Sequence, residues 1–241
     1  MPVILLIPGN MCDDRLWAPI GDRLIAAGHG VRHAAPLVQD SIAAMAAELL
    51  ETTSTPTIAI GFSMGAIVAA EMARRAPDSI AALGLIAFNA SADLPERSAA
   101  RPRQQAEVRQ GGLARIVAEE LKPNYLATAN RNDAQVLETV MSMALGLGSE
   151  VFIAQSEVLR LREDLRPALP GFDMPVLLAC GSEDRLCPPE WHRDWAEQIG
   201  GNATFKEIDE AGHLLPLEQP IALADALIGW LAKEPLCQTA S

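Results

Sequence analysis

The sequence predicts an α/β fold, a mostly parallel, doubly wound sheet interrupted by a helical insertion. Short apolar runs alternate with helical stretches through residues 1–91 and again through 169–241. From about Ser91 to Pro170 the strand-like runs disappear and helical periodicity takes over. A strand buried on both faces reads as an unbroken apolar run, whereas a surface helix repeats every three to four residues. The two patterns therefore separate a layered core, residues 1–91 and 169–241, from an insertion, residues 92–168.

The elements follow in order. Val3 to Ile7 is a β-branched and leucine run ended by Pro8-Gly9, the form of a strand in a parallel sheet. Asp13 or Asp14 can cap a helix running to about Ala27, where Gly28 supplies the stop. Gly30 to Ala35 is a short second strand, and Ser41 is an N-cap for a helix through Glu51. Thr57–Ile60 is a third strand, Met64–Ala76 a helix and Ile80–Phe88 a fourth strand. Within the insertion, Val136, Leu137, Val140, Met141 and Ala144 share one helical face. Val151, Phe152, Gln155, Val158 and Leu159 share another, and Gly111-Gly112 separates two earlier helical pieces. The alternation resumes with a strand at Pro175–Cys180, a helix at Pro189–Ile199, a strand at Thr204–Ile208 and a closing helix at Ile221–Leu231. The tail after Lys233 reads as frayed.

Composition narrows the function classes. The 241 residues suffice for one large domain, and 49% hydrophobic with 21% charged residues is a globular balance. A formal net charge of −12 argues against a nucleic-acid partner, which needs a basic surface. Ten of the nineteen Lys and Arg residues lie within 92–168 against eleven acids, so the insertion is near neutral while the remainder is strongly acidic. Cys12, Cys180, Cys187 and Cys237 form no CxxC pair and are expected as free thiols in a reducing compartment. The first apolar run lacks a basic flank and is too short for a signal peptide or a span, and no later run is expected to reach membrane length. The expectation is a soluble, cytoplasmic protein without a membrane partner; its oligomeric state is open.

The chemistry centres on Gly61-Phe62-Ser63-Met64-Gly65. This G-x-S-x-G follows a predicted strand and precedes the small-residue helix that starts Ala66-Ile67-Val68. A sharp strand-to-helix turn leaves the serine hydroxyl exposed at a helix N-terminus, whose dipole favours developing negative charge. Serine needs a base to act as nucleophile. Of His29, His33, His192 and His213, only His213 lies in a loop between the last strand and the last helix. Active sites in open α/β sheets assemble at such carboxyl ends of strands. Asp184, just after the strand ending at Cys180, is the expected orienting acid; Glu183 is its rival and Asp209 a weaker one. The chain order Ser63, Asp184, His213 fits this arrangement. An oxyanion hole needs two donors, expected from the amides of Met64 and of Asn10 in the turn Pro8-Gly9-Asn10-Met11.

These stretches, with Gly181-Ser182-Glu183-Asp184-Arg185 and Gly212-His213 through Glu218-Gln219-Pro220, resemble the α/β-hydrolase superfamily over nearly the full chain. The resemblance implies a sheet core, a helical cap between the fourth and fifth strands, and a Ser63–Asp184–His213 triad needing no metal or organic cofactor. Two departures stand out. Many relatives carry His-Gly where this chain has Pro8-Gly9, and the antiparallel strands that often open the fold are missing, which predicts a smaller sheet.

The implied reaction is hydrolysis of a small carboxylic ester or lactone through an acyl-enzyme. Carbon–carbon cleavage or cyanohydrin lysis by the same triad stays open, as does a non-catalytic ligand-binding role on the same fold. Met11, Tyr125, Met141, Phe152 and Leu214 are candidate pocket walls, as is Met143, which shares the insertion with Met141. Arg97, Arg101, Arg103 and Arg109 form a basic run at the start of the insertion that could attract an anionic substrate.

Overall fold

The computed structural model describes residues 2–53, 56–121 and 125–234. Six strands form one parallel sheet in the order β2-β1-β3-β4-β5-β6, with β1 Ile4–Ile7, β2 Val31–His33, β3 Thr57–Phe62, β4 Ile80–Ile86, β5 Val176–Gly181 and β6 Ala203–Ile208. Every pair is parallel, and no antiparallel strand joins the sheet among the described residues. Among the described residues, seven longer helices accompany it: α1 Ala18–Ala26, α2 Ile42–Thr52, α3 Met64–Arg75, α4 Pro95–Arg109, α5 Ala134–Leu161, α6 Pro189–Ile199 and α7 Pro220–Leu231.

Successive side chains of a strand point to opposite faces, and this sorts the core. Ile4 and Leu6 of β1 and Ile58 and Ile60 of β3 pack with Trp17, Ile20, Leu24, Leu223 and Leu227 on the α1/α7 side. Leu5, Ile7 and Ala59 pack with Met45, Leu49, Val68, Met72 and Trp195 on the α2/α3/α6 side. Both faces are thus covered, which accounts for strands that read as continuous apolar runs.

The element boundaries differ from expectation by a few residues. Asp13 does cap a helix, but a 3-10 turn at Asp14–Leu16, and α1 starts separately at Ala18. The Ser41 hydroxyl accepts the Ala44 amide at 3.1 Å and caps α2. β3 runs on to Phe62, two residues past the expected end, because Gly61 and Phe62 stay in register with Leu85 and Ile86. Cys12, Cys180 and Cys187 are free and buried. Cys237 and the tail expected to fray lie outside the described residues.

Between β4 and β5 lie α4, short helical turns at Leu113–Arg115, Ile116–Leu121 and Thr128–Asn130, and α5. One expectation is corrected here. α5 has 28 residues, and a window within it reaches a mean hydropathy of 1.5, long and apolar enough by those measures to cross a membrane. Gly148 (φ 83°, ψ −179°) breaks the helix. Val136, Val140, Met143, Ala144 and Phe152 turn inward onto the α1/α7-side core, and α5 packs against α4. Two stacked apolar faces joined across a kink explain the length.

Candidate active site

The sheet order reverses between β1 and β3, since the chain leaves β1 for the β2 edge and returns on the other side. A crevice opens at the carboxyl ends of strands on either side of such a switch point. Asn10 follows β1 and Ser63 follows β3, so both stand at that crevice.

The local sequence forces the turn at Ser63. Its backbone sits at φ 51°, ψ −113°, a region that L-residues rarely adopt. Its N–H donates to Ile86 O at 2.8 Å, holding the turn to β4. A Cβ on Gly61 would lie 2.1 Å from Gly65 O, and one on Gly65 would lie 2.4 Å from Ile7 O. Both glycines of the motif are therefore required by close backbone approach, and α3 can start immediately at Met64.

Three side chains from three loops converge. His213 Nε2 lies 3.0 Å from Ser63 Oγ, and His213 Nδ1 lies 2.9 Å from Asp184 Oδ2. The remaining carboxylate oxygen, Oδ1, accepts the amides of Leu186 at 2.8 Å and Cys187 at 2.9 Å. Burial pushes the Asp184 carboxyl up. The charge and hydrogen bond of His213, with the two amides, outweigh that and leave it below the usual carboxylate value. An ionised carboxylate only accepts, so Nδ1 carries the proton and Nε2 turns a lone pair toward the serine hydroxyl. The imidazole is almost fully buried and stands beside the rings of Phe62 at 5.3 Å and Tyr125 at 5.7 Å.

The rival acids lie elsewhere. Glu183 accepts the amide of Thr128 at 3.0 Å and its hydroxyl at 2.7 Å, and Asp209 is exposed. His29 precedes β2 and His33 ends it, at the sheet edge. His192 is wholly buried in α6, where its Nε2 accepts the Phe88 amide at 2.9 Å.

Met64 is the first residue of α3, so no earlier helical turn offers its amide a carbonyl. Among the described residues no hydrogen bond occupies the Asn10 amide. The Asn10 side chain is committed instead: its Nδ2 donates to Gln155 Oε1 at 3.1 Å. The same oxygen accepts the Met11 amide at 2.8 Å, and Gln155 Nε2 donates to Leu37 O at 2.7 Å. Gln155 is completely buried and ties α5 to the turn after β1, which Met11 completes at φ 54°. Sequence reasoning missed this residue. Its signal was a glutamine placed on an otherwise apolar helical face.

Two cavities meet at Ser63. The larger, about 310 Å³, is lined by Ser63, His213, Tyr125 and Phe152, and by the polar residues Asn89, Asp93, Arg97 and Arg101. The smaller, about 40 Å³, lies on the apolar side against Met11, Leu214, Val117 and Val140. Met141 was expected as a pocket wall; it lines neither, packing half-buried against the core because it points to the α1/α7 side. Met143, the other methionine proposed there, is fully buried in the same core. Arg97 and Arg101 of the basic run line the large cavity, whereas Arg103 pairs with Glu120 and Arg109 is exposed.

Glu218, which the sequence offered only as part of the stretch from Gly212 to Pro220, has a structural role of its own. It accepts the amides of Gly212 at 3.0 Å and Ala127 at 2.8 Å, and Asn130 Nδ2 at 3.0 Å. With the His213 amide donating to Tyr125 O at 2.6 Å, this fastens the His213 loop to the segment between β4 and β5. Burial raises the Glu218 carboxyl despite these donors.

Asp184, Cys187 and His213 place donor atoms within 4.8 Å of one another, a spacing a metal ion could use. Both Asp184 oxygens are already engaged, however. Burial and the neighbouring carboxylate push the Cys187 thiol well up, disfavouring the thiolate a metal requires. The donor set fits a proton relay better than a metal.

Comparison with known proteins agrees with the fold. The family model described as serine aminopeptidase, S33, matches residues 26–220. The pimeloyl-[acyl-carrier protein] methyl ester esterase of Methylococcus capsulatus is 29% identical over 209 residues, covering 80% of this chain and 76% of its own. A thermophilic esterase from Thermogutta terrifontis superposes with a TM-score of 0.86 at 29% identity, covering 97% of this chain and 90% of its own. The enol-lactonase of Burkholderia xenovorans LB400 shares the fold at a TM-score of 0.85 and 23% identity, with 96% and 92% covered. With a switch-point serine on a strained strand-to-helix turn and a matching model over most of its length, this chain belongs to the serine aminopeptidase S33 family of α/β hydrolases.

Proposed function

We propose that this chain is a serine hydrolase that cleaves small carboxylic esters or lactones through an acyl-enzyme on Ser63. The observation that carries the reading is the hydrogen-bonded line Ser63–His213–Asp184, 3.0 Å and 2.9 Å, opening on a cavity. His213 Nε2 takes the hydroxyl proton as Ser63 Oγ adds to the substrate carbonyl. The imidazolium so formed is stabilised by Asp184, which keeps its negative charge throughout. The amides of Met64 and Asn10 receive the oxyanion. As the tetrahedral adduct collapses, the alcohol leaves with the proton from His213. Water then gives a proton to His213 as its oxygen adds to the acyl carbon; the second adduct collapses by breaking the acyl–Oγ bond, and His213 returns the proton to Ser63 Oγ as the acid leaves.

The ester linkage is supported by similarity to two esterases at 29% identity, which carry that activity in their names. The engagement of Asn10 Nδ2 by Gln155 favours this reading over cyanohydrin lysis through the asparagine side chain. Replacing Ser63 by alanine should lower kcat on a nitrophenyl ester by roughly 10⁴–10⁶. A loss under tenfold in a folded variant would remove Ser63 from the reaction.

A further inference from the structure

The larger cavity is lined by three arginines and three carboxylates, and the arginines are unequally paired. Arg97, Arg101 and Arg162 line it, and Asp93 lies among them. Asp93 holds Arg162 at 2.8 Å and Arg101 at 2.7 Å. Arg162 is used up in the wall, since it also donates to the carbonyls of Ser91, Ala92 and Leu159. Arg101 reaches Asp93 through Nε and Nη2, and among the described residues its Nη1 makes no hydrogen bond. Arg97 donates one bond, to Leu186 O at 3.0 Å, and no carboxylate lies within ion-pair distance of it among the described residues.

Among the described residues, neither of the other two acids in the lining forms an ion pair with Arg97. Glu96 lines the cavity but is exposed to solvent, and Glu120 is held by Arg103 and Arg115. A second observation is independent of charge. Asn89 is 4% exposed and lines the same cavity, and among the described residues its buried Nδ2 has no hydrogen-bond partner. The Ser91 amide donates to Asn89 Oδ1 at 2.9 Å, which fixes the amide so that the NH₂ group is the orphan. An unpaired buried donor is costly, and each such group in a native fold calls for a partner. Arg97 and Arg101 are four residues apart on α4, so their guanidinium groups share a face and can fork around one anion.

We infer that the arm of the substrate lying in the large cavity ends in a carboxylate, received by Arg97 and Arg101, with Asn89 Nδ2, sealed from solvent in the wall, donating to the same arm once the wall shifts around it. The small apolar cavity, roughly the space of a few heavy atoms, then takes a short alkyl group. The substrate class is a short half-ester of a dicarboxylic acid, or a lactone bearing a carboxylate. This rests on the ester-cleaving reading above. Hydrolysis of a monomethyl half-ester breaks the acyl C–O bond, adds water across it, and yields the dicarboxylic acid and methanol.

The test compares kcat/KM for monomethyl esters of linear dicarboxylic acids with methyl esters of monocarboxylic acids of equal chain length. The wild type should prefer the charged half-ester. Arg97→Ala should lower the ratio of charged to neutral kcat/KM by about 10- to 100-fold, the scale of a lost charge-assisted hydrogen bond. Arg97→Lys should retain more of the ratio, and Arg109→Ala should leave it unmoved. Calorimetric titration of the Ser63→Ala variant with linear dicarboxylates and monocarboxylates adds a readout that needs no turnover. Dicarboxylate binding should be tighter, and adding Arg97→Ala should abolish the difference. Turnover of neutral esters with no preference for charge, or a ratio untouched by Arg97→Ala, overturns the subsite while the ester reading stands. Arg97-dependent binding of dicarboxylates without hydrolysis of any ester overturns the ester reading while the subsite stands.

Discussion

Asp184 and Glu183 adjoin in the chain, yet the turn after β5 sends their carboxylates to different partners. Asp184 turns inward to His213 and two amides, while Glu183 turns out to Thr128. Asp184→Asn can no longer hold the Nδ1–H tautomer and should lower kcat by about 10⁴. Glu183→Gln keeps an acceptor for Thr128 and should change kcat by less than about tenfold, a margin far below any removal of the orienting acid. Steady-state kinetics of the two variants decides, and a reversed order would reassign the acid. Asn10 poses a similar choice between backbone and side chain. Its Nδ2 already serves Gln155, so Asn10→Ala should cost less than about tenfold in kcat, against about 10²–10³ for a true side-chain oxyanion donor. Gln155→Leu orphans the buried Met11 amide and should cost about 1–3 kcal/mol in urea denaturation. Equal stability of that variant and the wild type would show that the Met11 amide finds another acceptor. Ser63, Asp184 and His213 could be picked out from the sequence because each follows a recognisable strand. The roles of Gln155 and Glu218 could not, because they lie in partners distant in sequence, such as Asn10 for Gln155 and Ala127 for Glu218; that of Asn89 could not, because only the fold buries its unpaired Nδ2.

At the scale of elements, the periodicity of α5 places its residues on an inward face without saying what that face meets. Phe152 reaches the large cavity, whereas Met141, on the same helix before the break at Gly148, meets the core. A helical repeat cannot register a kink that turns one half relative to the other. The two positions should therefore behave differently. Phe152→Leu should shift relative kcat/KM among acyl chains of different length by about 1–3 kcal/mol. Met141→Leu should leave the relative order unchanged. A substrate panel checks this, and a selectivity change at Met141 equal to that at Phe152 would contradict the placement. The strands were more legible than the insertion. In the four central strands, covered on both faces, nearly every position is buried and apolar, so the run itself marks the strand, whereas the edge strands β2 and β6 are partly exposed and carry Arg32, Lys206 and Glu207. The exception is the end of β3, where Gly61 and Phe62 read as turn but remain paired with β4.

For the whole molecule, the alternation of strands and helices and the covered sheet follow from short-range patterns, whereas the strand order that sets the switch point is seen only in the fold. Long-range pairings such as the acceptance of three donors by Glu218 do not follow from such patterns. Global stability carries a pH dependence through His192. This ring is fully buried between the Phe88 amide and Pro188 O, and burial lowers its pKa from 6.5 to about 4. Unfolded, the imidazole binds a proton below about 6.5; folded, it does so only below about 4. Between those values the unfolded chain takes up a proton that the folded chain refuses. The stability from the neutral ring is thus complete above pH 6.5 and lost as pH falls through this window, by up to about 3 kcal/mol. Denaturation at pH 7 and pH 4.5 should show a larger loss in the wild type than in His192→Asn, and equal losses would place the proton elsewhere. The most direct test of the central claim is covalent labelling of the folded protein with a fluorophosphonate, followed by mass spectrometry of the adduct. A nucleophile activated by His213 predicts one stoichiometric adduct, mapped to Ser63, absent from Ser63→Ala and suppressed in His213→Ala. No adduct on the folded wild type, or an adduct on another residue, would contradict it.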